Sequence, residues 1–227
     1  MRLPLALALC LLASLPALAD DAALIRQLAP AIKPAAVSEA VAAMKCAQTN
    51  GVGEAASRLA IIDYTLPSRE QRLWVVDLKR RKLLFEEHVA HGKGSGEDIP
   101  RAFSDRNGSH QTSLGLFLTD ATYEGGNGYS LKLQGLSRGF NESAMERLIV
   151  MHGAPYVDPN AAQKLGRLGR SFGCPAVRTA VAQPMIDTLK QGQFIYAYGP
   201  GTAKLSACKT ENLSLAHVAP AHRDSKG

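Results

Sequence analysis

The sequence predicts a mainly β fold, an antiparallel or mixed β-sandwich or distorted barrel, preceded by a helical segment. Two observations predict it: many short apolar runs separated by turn residues, and only one strong helical stretch after residue 59. A doubly wound α/β fold would need helices alternating with strands, which residues 59–140 lack. With 227 residues, 46% of them hydrophobic, the chain is long enough to bury the core of one such domain.

The first nineteen residues have the pattern of a secretory signal peptide. Arg2 supplies a positive start, residues 3–15 are an apolar stretch too short to span a membrane, and residues 17–19 have the small-x-small form of a cleavage site. Cys10 lies inside the apolar stretch and not at the cleavage point, which disfavours a lipoprotein anchor. We therefore expect a mature protein without a membrane anchor, in the periplasm or another extracytoplasmic part of a cell envelope.

Residues 20–58 form a predicted helical N-terminal segment that serves packing. Its apolar residues recur at spacings of three and four, as in Val37, Val41 and Met44, and the pattern ends near residue 50.

Residues 59–205 form the predicted main domain. The β-type runs in it are 61–64, 73–78, 83–89, 114–119, 129–133, 148–152 and 194–198. A helix is predicted over 179–191, with Gly192 as its stop. The loop 92–113 is too long for a plain connector, which favours a wall of a site. The tail, 206–227, is polar and charged, and we expect it to be loose.

The charge pattern and the motifs exclude two classes of protein. The net charge of +6 comes from scattered basic residues that are not interleaved with a row of aromatic residues, so nucleic-acid binding is not expected. There is no C-x-x-C or H-E-x-x-H motif, and His88 and His91 would point to opposite faces of a strand. We expect no metal site.

Three cysteines follow the predicted cleavage point: Cys46, Cys174 and Cys208. An odd number in an oxidising compartment indicates one disulfide and one free thiol. Cys174 is the candidate free thiol, which leaves Cys46 and Cys208 as a candidate bridge. The alternative is that these two cysteines are buried and unpaired.

His152 and Cys174 have the chemistry of a base and a thiol nucleophile. A thiol needs a neighbouring base to become a thiolate near neutral pH, and His152 ends an apolar run that is typical of a buried strand. Gly153 and Gly173 flank the pair, permit close backbone approach and leave backbone N–H groups for an oxyanion hole. Ser171 is a candidate for orienting the imidazole through its hydroxyl or carbonyl.

Residues 169–173 also spell G-x-S-x-G, the nucleophile elbow of serine hydrolases. That motif needs a strand before it, a helix directly after it, and an acid and a histidine downstream. Here a loop precedes the motif and Cys-Pro follows it, and the downstream histidines are both in the tail. We set this interpretation aside.

His152-Gly153 followed by Ser171-Phe172-Gly173-Cys174 resembles the signature of the murein L,D-transpeptidase catalytic domain (YkuD-like) family. Residues 62–64, 73–78, 91–93 and 107–115 agree with that family, and the resemblance covers about residues 60–200. The chain has Phe172 where many members have histidine, which leaves His152 as the base. It has Ala176 where many members have arginine or asparagine, so Arg170 and Arg178 are candidate contacts for the substrate carboxylate. His110 is a further candidate substrate contact, because the loop around it is placed to border the cleft.

The resemblance implies a β-sandwich-like fold, peptidoglycan stem peptides as substrate and no metal or organic cofactor. Cys174 would attack the carbonyl between the L-centre of the diamino acid and the terminal D-Ala of a tetrapeptide, and a second stem would accept the acyl group in a 3→3 cross-link. With water or a lipoprotein as acceptor, the enzyme would be an L,D-carboxypeptidase or a lipoprotein-attaching transpeptidase. A catalytically silent peptidoglycan-binding envelope protein is the alternative of another class, and the intact His152, Ser171 and Cys174 argue against it.

Overall fold

The computed structural model describes residues 17–205, 207–208 and 213–214. The helices in this part of the chain are α1 Ala17–Leu28, α2 Pro34–Thr49, α3 Pro159–Leu165 and α4 Thr179–Leu189. The strands are β1 Arg58–Asp63, β2 Leu73–Asp77, β3 Lys82–Glu87, β4 Val89–Ala90, β5 Gly115–Gly125, β6 Gly128–Gly135, β7 Val150–Gly153, β8 Ala176–Val177 and β9 Phe194–Tyr198.

All nine strands belong to one mixed sheet in the order β3-β2-β1-β9-β5-β6-β7-β8-β4. The β1–β9 and β7–β8 pairs are parallel, and the other pairs are antiparallel. The two edge strands, β3 and β4, are consecutive in the chain with only His88 between them. The sheet must therefore curve until its edges approach each other. This confirms the predicted mainly β fold with a distorted barrel of mixed strands.

The sheet is buried on both faces in its central part. On β1, Leu59 and Ile61 belong to a core shared with α1 and α2, whereas Ala60 and Ile62 belong to a second core shared with α4. Side chains alternate along a strand, so a strand covered on both faces becomes a continuous apolar run. The predicted helical segment is thus one outer layer of the domain and packs directly on its sheet.

Helix α3 and strand β8 are missing from the sequence-based prediction, and the single run predicted over 83–89 is divided into β3 and β4. The connection 153–169 contains α3, whose N-cap Asp158 accepts a hydrogen bond from the Asn160 N–H and whose C-cap Gly166 is left-handed at φ 72°. With Pro159 in its first turn, α3 has ordinary start and stop signals on a very short helix. Strand β8 has two residues, too few for any periodic pattern.

The Cys46 and Cys208 sulfurs form a disulfide with a Cα–Cα distance of 5.3 Å, and Cys174 is the free cysteine among the described residues. The tail is attached at a second point, where Leu213 forms a β-bridge with Ser137 and the Ser214 N–H donates to the Leu136 carbonyl oxygen. Residues 206, 209–212 and 215–227 of the predicted loose tail lie outside the described residues. The predicted signal peptide falls mainly on residues 1–16, also outside them, and it stays a prediction. Within the described residues, no helix is long and apolar enough to cross a bilayer.

Candidate active site

Strands β7 and β8 bring the predicted nucleophile and base together. They run parallel, with His152 paired to Ala176 and Gly153 to Val177. Cys174 lies two residues before Ala176, so its sulfur sits against the backbone that leads into β7. The Val150 N–H donates to Cys174 Sγ at 3.5 Å, and Cys174 Sγ lies 3.7 Å from the Leu148 carbonyl oxygen. His152 and Cys174 line one cavity of about 320 Å³, here called the Cys174 cavity.

His152 is held in one orientation by its own neighbour. Its Nδ1 lies 2.9 Å from the Gly153 carbonyl oxygen. Because a carbonyl only accepts, Nδ1 carries the proton in the neutral ring and Nε2 has the free lone pair. Burial lowers the pKa of His152, against a smaller opposing effect of that hydrogen bond. The packing also needs the glycine, since a Cβ on Gly153 would lie 2.8 Å from the Ala182 Cβ of α4.

The environment of Cys174 favours the protonated thiol. Burial raises its pKa, while the Val150 N–H and the Arg147 charge act in the opposite direction without cancelling it. Both residues of the pair are therefore shifted toward their neutral forms. Of the described hydrogen bonds, none joins the Cys174 sulfur to the His152 ring. Burial therefore disfavours the thiolate–imidazolium pair expected from the residue types and favours the neutral pair.

Ser171 braces the turn that carries the predicted nucleophile Cys174, residues 171–174, here called the nucleophile turn. Its hydroxyl donates to the Cys174 carbonyl oxygen at 2.7 Å and accepts from the Gly173 N–H at 3.0 Å. Its carbonyl oxygen accepts from the Lys93 N–H at 2.8 Å. Among the described hydrogen bonds, neither the hydroxyl nor the carbonyl of Ser171 contacts the imidazole, so the predicted orienting role does not match these contacts. The serine-elbow alternative does not match either, because the short strand β8 follows Ser171 where that motif needs a helix.

Gly173 is required by its surroundings. Its φ of 128° is unfavourable for other residues, and a Cβ there would lie 2.9 Å from the Gln111 carbonyl oxygen and 3.0 Å from Ile149 Cδ1. The sequence predicts the Gly173 N–H as an oxyanion donor. In the structure this N–H donates to the Ser171 hydroxyl, so it is not available for an oxyanion. The Gly153 N–H stays a predicted oxyanion donor.

Arg147 is a site residue that sequence reasoning missed. Its side chain is only 3% exposed and lines the Cys174 cavity. Its guanidinium donates to the Ser104 and Gln111 carbonyl oxygens, each at 2.8 Å, and also to the Ser113 hydroxyl. Arg147 thus holds the loop 92–113 against the nucleophile turn and places a positive charge near the thiol. A charged residue just before the buried run that ends in His152 was the available signal, and it is weak.

A family model described as the L,D-transpeptidase catalytic domain matches residues 28–198. The chain belongs to this family. The match includes α2, which agrees with the core that this helix shares with the sheet.

Three solved structures are similar to this L,D-transpeptidase-family chain. An L,D-transpeptidase from Mycobacterium smegmatis is 15% identical, with a TM-score of 0.38, over 63% of this chain and 59% of that one. The helical cell shape determining protein from Campylobacter jejuni is 13% identical, with a TM-score of 0.43, over 67% and 52%. L,D-transpeptidase 1 from Mycobacterium tuberculosis is 13% identical, with a TM-score of 0.35, over 63% and 62%.

The match covers less than two thirds of each of these three proteins. At such identities the likeness says nothing about activity. Comparison with curated proteins gave no match.

The predicted substrate contacts of the L,D-transpeptidase-family site separate into two groups. Arg170 lines the Cys174 cavity, where its guanidinium also donates to the Glu97 carboxylate at 2.7 Å. Arg178 faces a different cavity and forms a two-pronged ion pair with Glu87, at 2.9 and 2.5 Å. The Arg178 guanidinium therefore links β3 to the start of α4. Because it lies outside the wall of the Cys174 cavity, the structure does not support it as a substrate contact.

His110 contributes to the rim of the cavity. Its ring centroid lies 4.7 Å from that of Phe172, a cavity residue that is 64% exposed, and Lys93 Nζ lies 4.3 Å from the same Phe172 ring. Phe172 occupies the position where many family members have histidine, and here it anchors two basic side chains at the rim. Tyr156 forms another part of the wall, and burial raises its pKa to about 12, so it remains a neutral hydroxyl.

Proposed function

We propose that the protein is a murein L,D-transpeptidase that uses Cys174 for acyl transfer on peptidoglycan tetrapeptide stems. The observation that carries the proposal is the placement of His152 on β7 and of Cys174 in the turn just before the parallel neighbour β8, around one cavity, in a chain of this family. The reaction belongs to the periplasm or another extracytoplasmic space, in line with the predicted signal peptide.

The first half of the reaction forms a thioester. His152 Nε2 takes the proton of the Cys174 thiol as Sγ attacks the carbonyl between the L-centre of the diamino acid and D-Ala. The C–N bond then breaks, and the proton on His152 passes to the amine of the departing D-Ala. The Gly153 N–H is the proposed oxyanion donor, and the Val150 N–H contacts Sγ instead.

The second half returns the enzyme to its starting state. The side-chain amine of a second stem attacks the thioester, gives its proton to His152 and forms a 3→3 cross-link, and the departing sulfur recovers that proton. Ser171 and Arg147 act as positioning residues, because their contacts hold the nucleophile turn and the loop behind it.

The test is to incubate the wild-type protein and Cys174→Ala with purified tetrapeptide muropeptides and to analyse the products by mass spectrometry. We expect D-Ala and cross-linked dimers from the wild type only. Equal activity of the two proteins would refute the mechanism, and D-Ala without dimers would identify an L,D-carboxypeptidase.

A carbapenem-type acylating agent separates the enzyme from a non-catalytic binding protein. An adduct on Cys174 of the folded wild type supports the enzyme, whereas an unreactive thiol supports the peptidoglycan-binding alternative. Circular dichroism of Cys174→Ala checks that its fold is intact.

A further inference from the structure

A second cavity is lined by residues of the segment that contacts the Cys174 sulfur. It has a volume of about 400 Å³ and is lined by Tyr123, Lys132, Met145, Leu148, Ile149 and Val150; it is called the Lys132 cavity below. Two residues of its wall, Leu148 and Val150, also contact Cys174 Sγ through their backbone groups. Leu148 lines both cavities.

Proton transfer decides on which side of the Cys174 sulfur the leaving group, the acceptor amine and the acyl group lie. The leaving amine must receive a proton from His152, and by microscopic reversibility the attacking amine must give its proton to the same group. His152 lines the Cys174 cavity and is not part of the Lys132 cavity wall. The leaving group and the acceptor amine therefore use the Cys174 cavity in turn, and the acyl group that stays bound needs space on the other side.

The chemistry of the Lys132 cavity suits an anionic peptide. Its described wall is mostly apolar and carries one cation and no carboxylate. Lys132 is exposed, its register partner across the β6–β7 pair is Val150, and its Nζ lies 5.7 Å from the Tyr123 ring centroid. Lys132 thus lies beside Val150 in the sheet, and its amine has no ion-pair partner among the described residues.

We infer that the Lys132 cavity binds the acyl-donor stem, and that Lys132 pairs with a carboxylate that this stem retains after D-Ala has left. The inference rests on the proposed function and adds the side on which the donor lies and a residue that selects for its charge. A donor whose retained carboxylates are amidated loses this ion pair, so Lys132 discriminates against it.

The decisive experiment measures D-Ala release from tetrapeptides with free or amidated retained carboxylates. It compares the wild type, Lys132→Gln and the control Lys82→Gln, which removes an exposed lysine of β3. For the wild type and the control we expect kcat/KM to be about five- to tenfold higher with the free carboxylate. Lys132→Gln should lose most of this preference, and its KM for the acceptor stem should be unchanged.

An undiminished preference in Lys132→Gln would overturn the inference, and so would a change confined to the acceptor KM. A wild type that releases no D-Ala from either donor would instead contradict the proposed function. The two failures are therefore distinguishable.

Discussion

Replacing Ser171 by alanine removes two hydrogen bonds from the nucleophile turn, at 2.7 Å to the Cys174 carbonyl and at 3.0 Å from the Gly173 N–H. At about 1 kcal/mol for each neutral hydrogen bond, we expect the free energy of unfolding to fall by about 2 kcal/mol. We also expect kcat/KM for D-Ala release to fall by about 10²-fold, because a nucleophile displaced by about 1 Å loses that much.

The pH profile of the Ser171→Ala variant distinguishes bracing of the turn from orientation of the imidazole. His152 is fixed by Gly153, so the acidic limb of kcat/KM should keep its midpoint while the plateau drops. Urea unfolding and D-Ala release from pH 5 to 9 measure both effects. Ser171→Thr keeps the hydroxyl oxygen and should recover most of the activity. A shifted acidic limb with unchanged stability would refute the bracing role and restore the sequence-based interpretation.

Three further predictions concern His152, His91 and the disulfide. Because burial lowers the pKa of His152, the acidic limb of kcat/KM in the wild type should lie below the ordinary histidine value of about 6.5, as a pH–rate profile would show. Burial, and to a smaller extent the charge of Arg72, lowers the pKa of His91 to about 4. The free energy of unfolding should therefore be highest above about pH 6.5 and should fall by up to about 3 kcal/mol as the pH drops from there through 4. Urea unfolding of His91→Gln should show a flatter pH dependence in that window, and an unchanged slope would contradict the assignment. The disulfide closes a loop over a separation of 162 residues, so Cys46→Ser should lower the free energy of unfolding by up to about 5 kcal/mol, measured by urea unfolding with Cys208→Ser as the matched variant.

The parts of the fold that the sequence predicts are those with a repeating apolar pattern. The run 194–198 corresponds to β9, the run 73–78 to β2, and the spacing of Val37, Val41 and Met44 to α2. Elements too short for a period, β8 and α3, were missed. The curvature of the sheet depends on which strands pair, and such long-range pairing leaves no local trace in the sequence.

The residues of the candidate site also fall into those that the sequence predicts and those that it does not. Cys174 and His152 are recognisable from their residue types, because few other pairs offer a thiol and its base. Arg147 and Ser171 act through partners that are distant in sequence or that belong to the backbone, such as the Gln111 and Cys174 carbonyls. The direction of the pKa shift at Cys174 also comes from burial, which no motif encodes.

The raised pKa of Cys174 affects how readily this cysteine is oxidised. Thiolates attack oxidants and the sulfur atoms of other disulfides, whereas protonated thiols largely do not. Because burial raises the pKa of Cys174, its thiol is less prone to sulfenic acid formation and to exchange with the Cys46–Cys208 bridge. One molecule can thus keep an oxidised cysteine pair and a reduced, usable cysteine in the same surroundings.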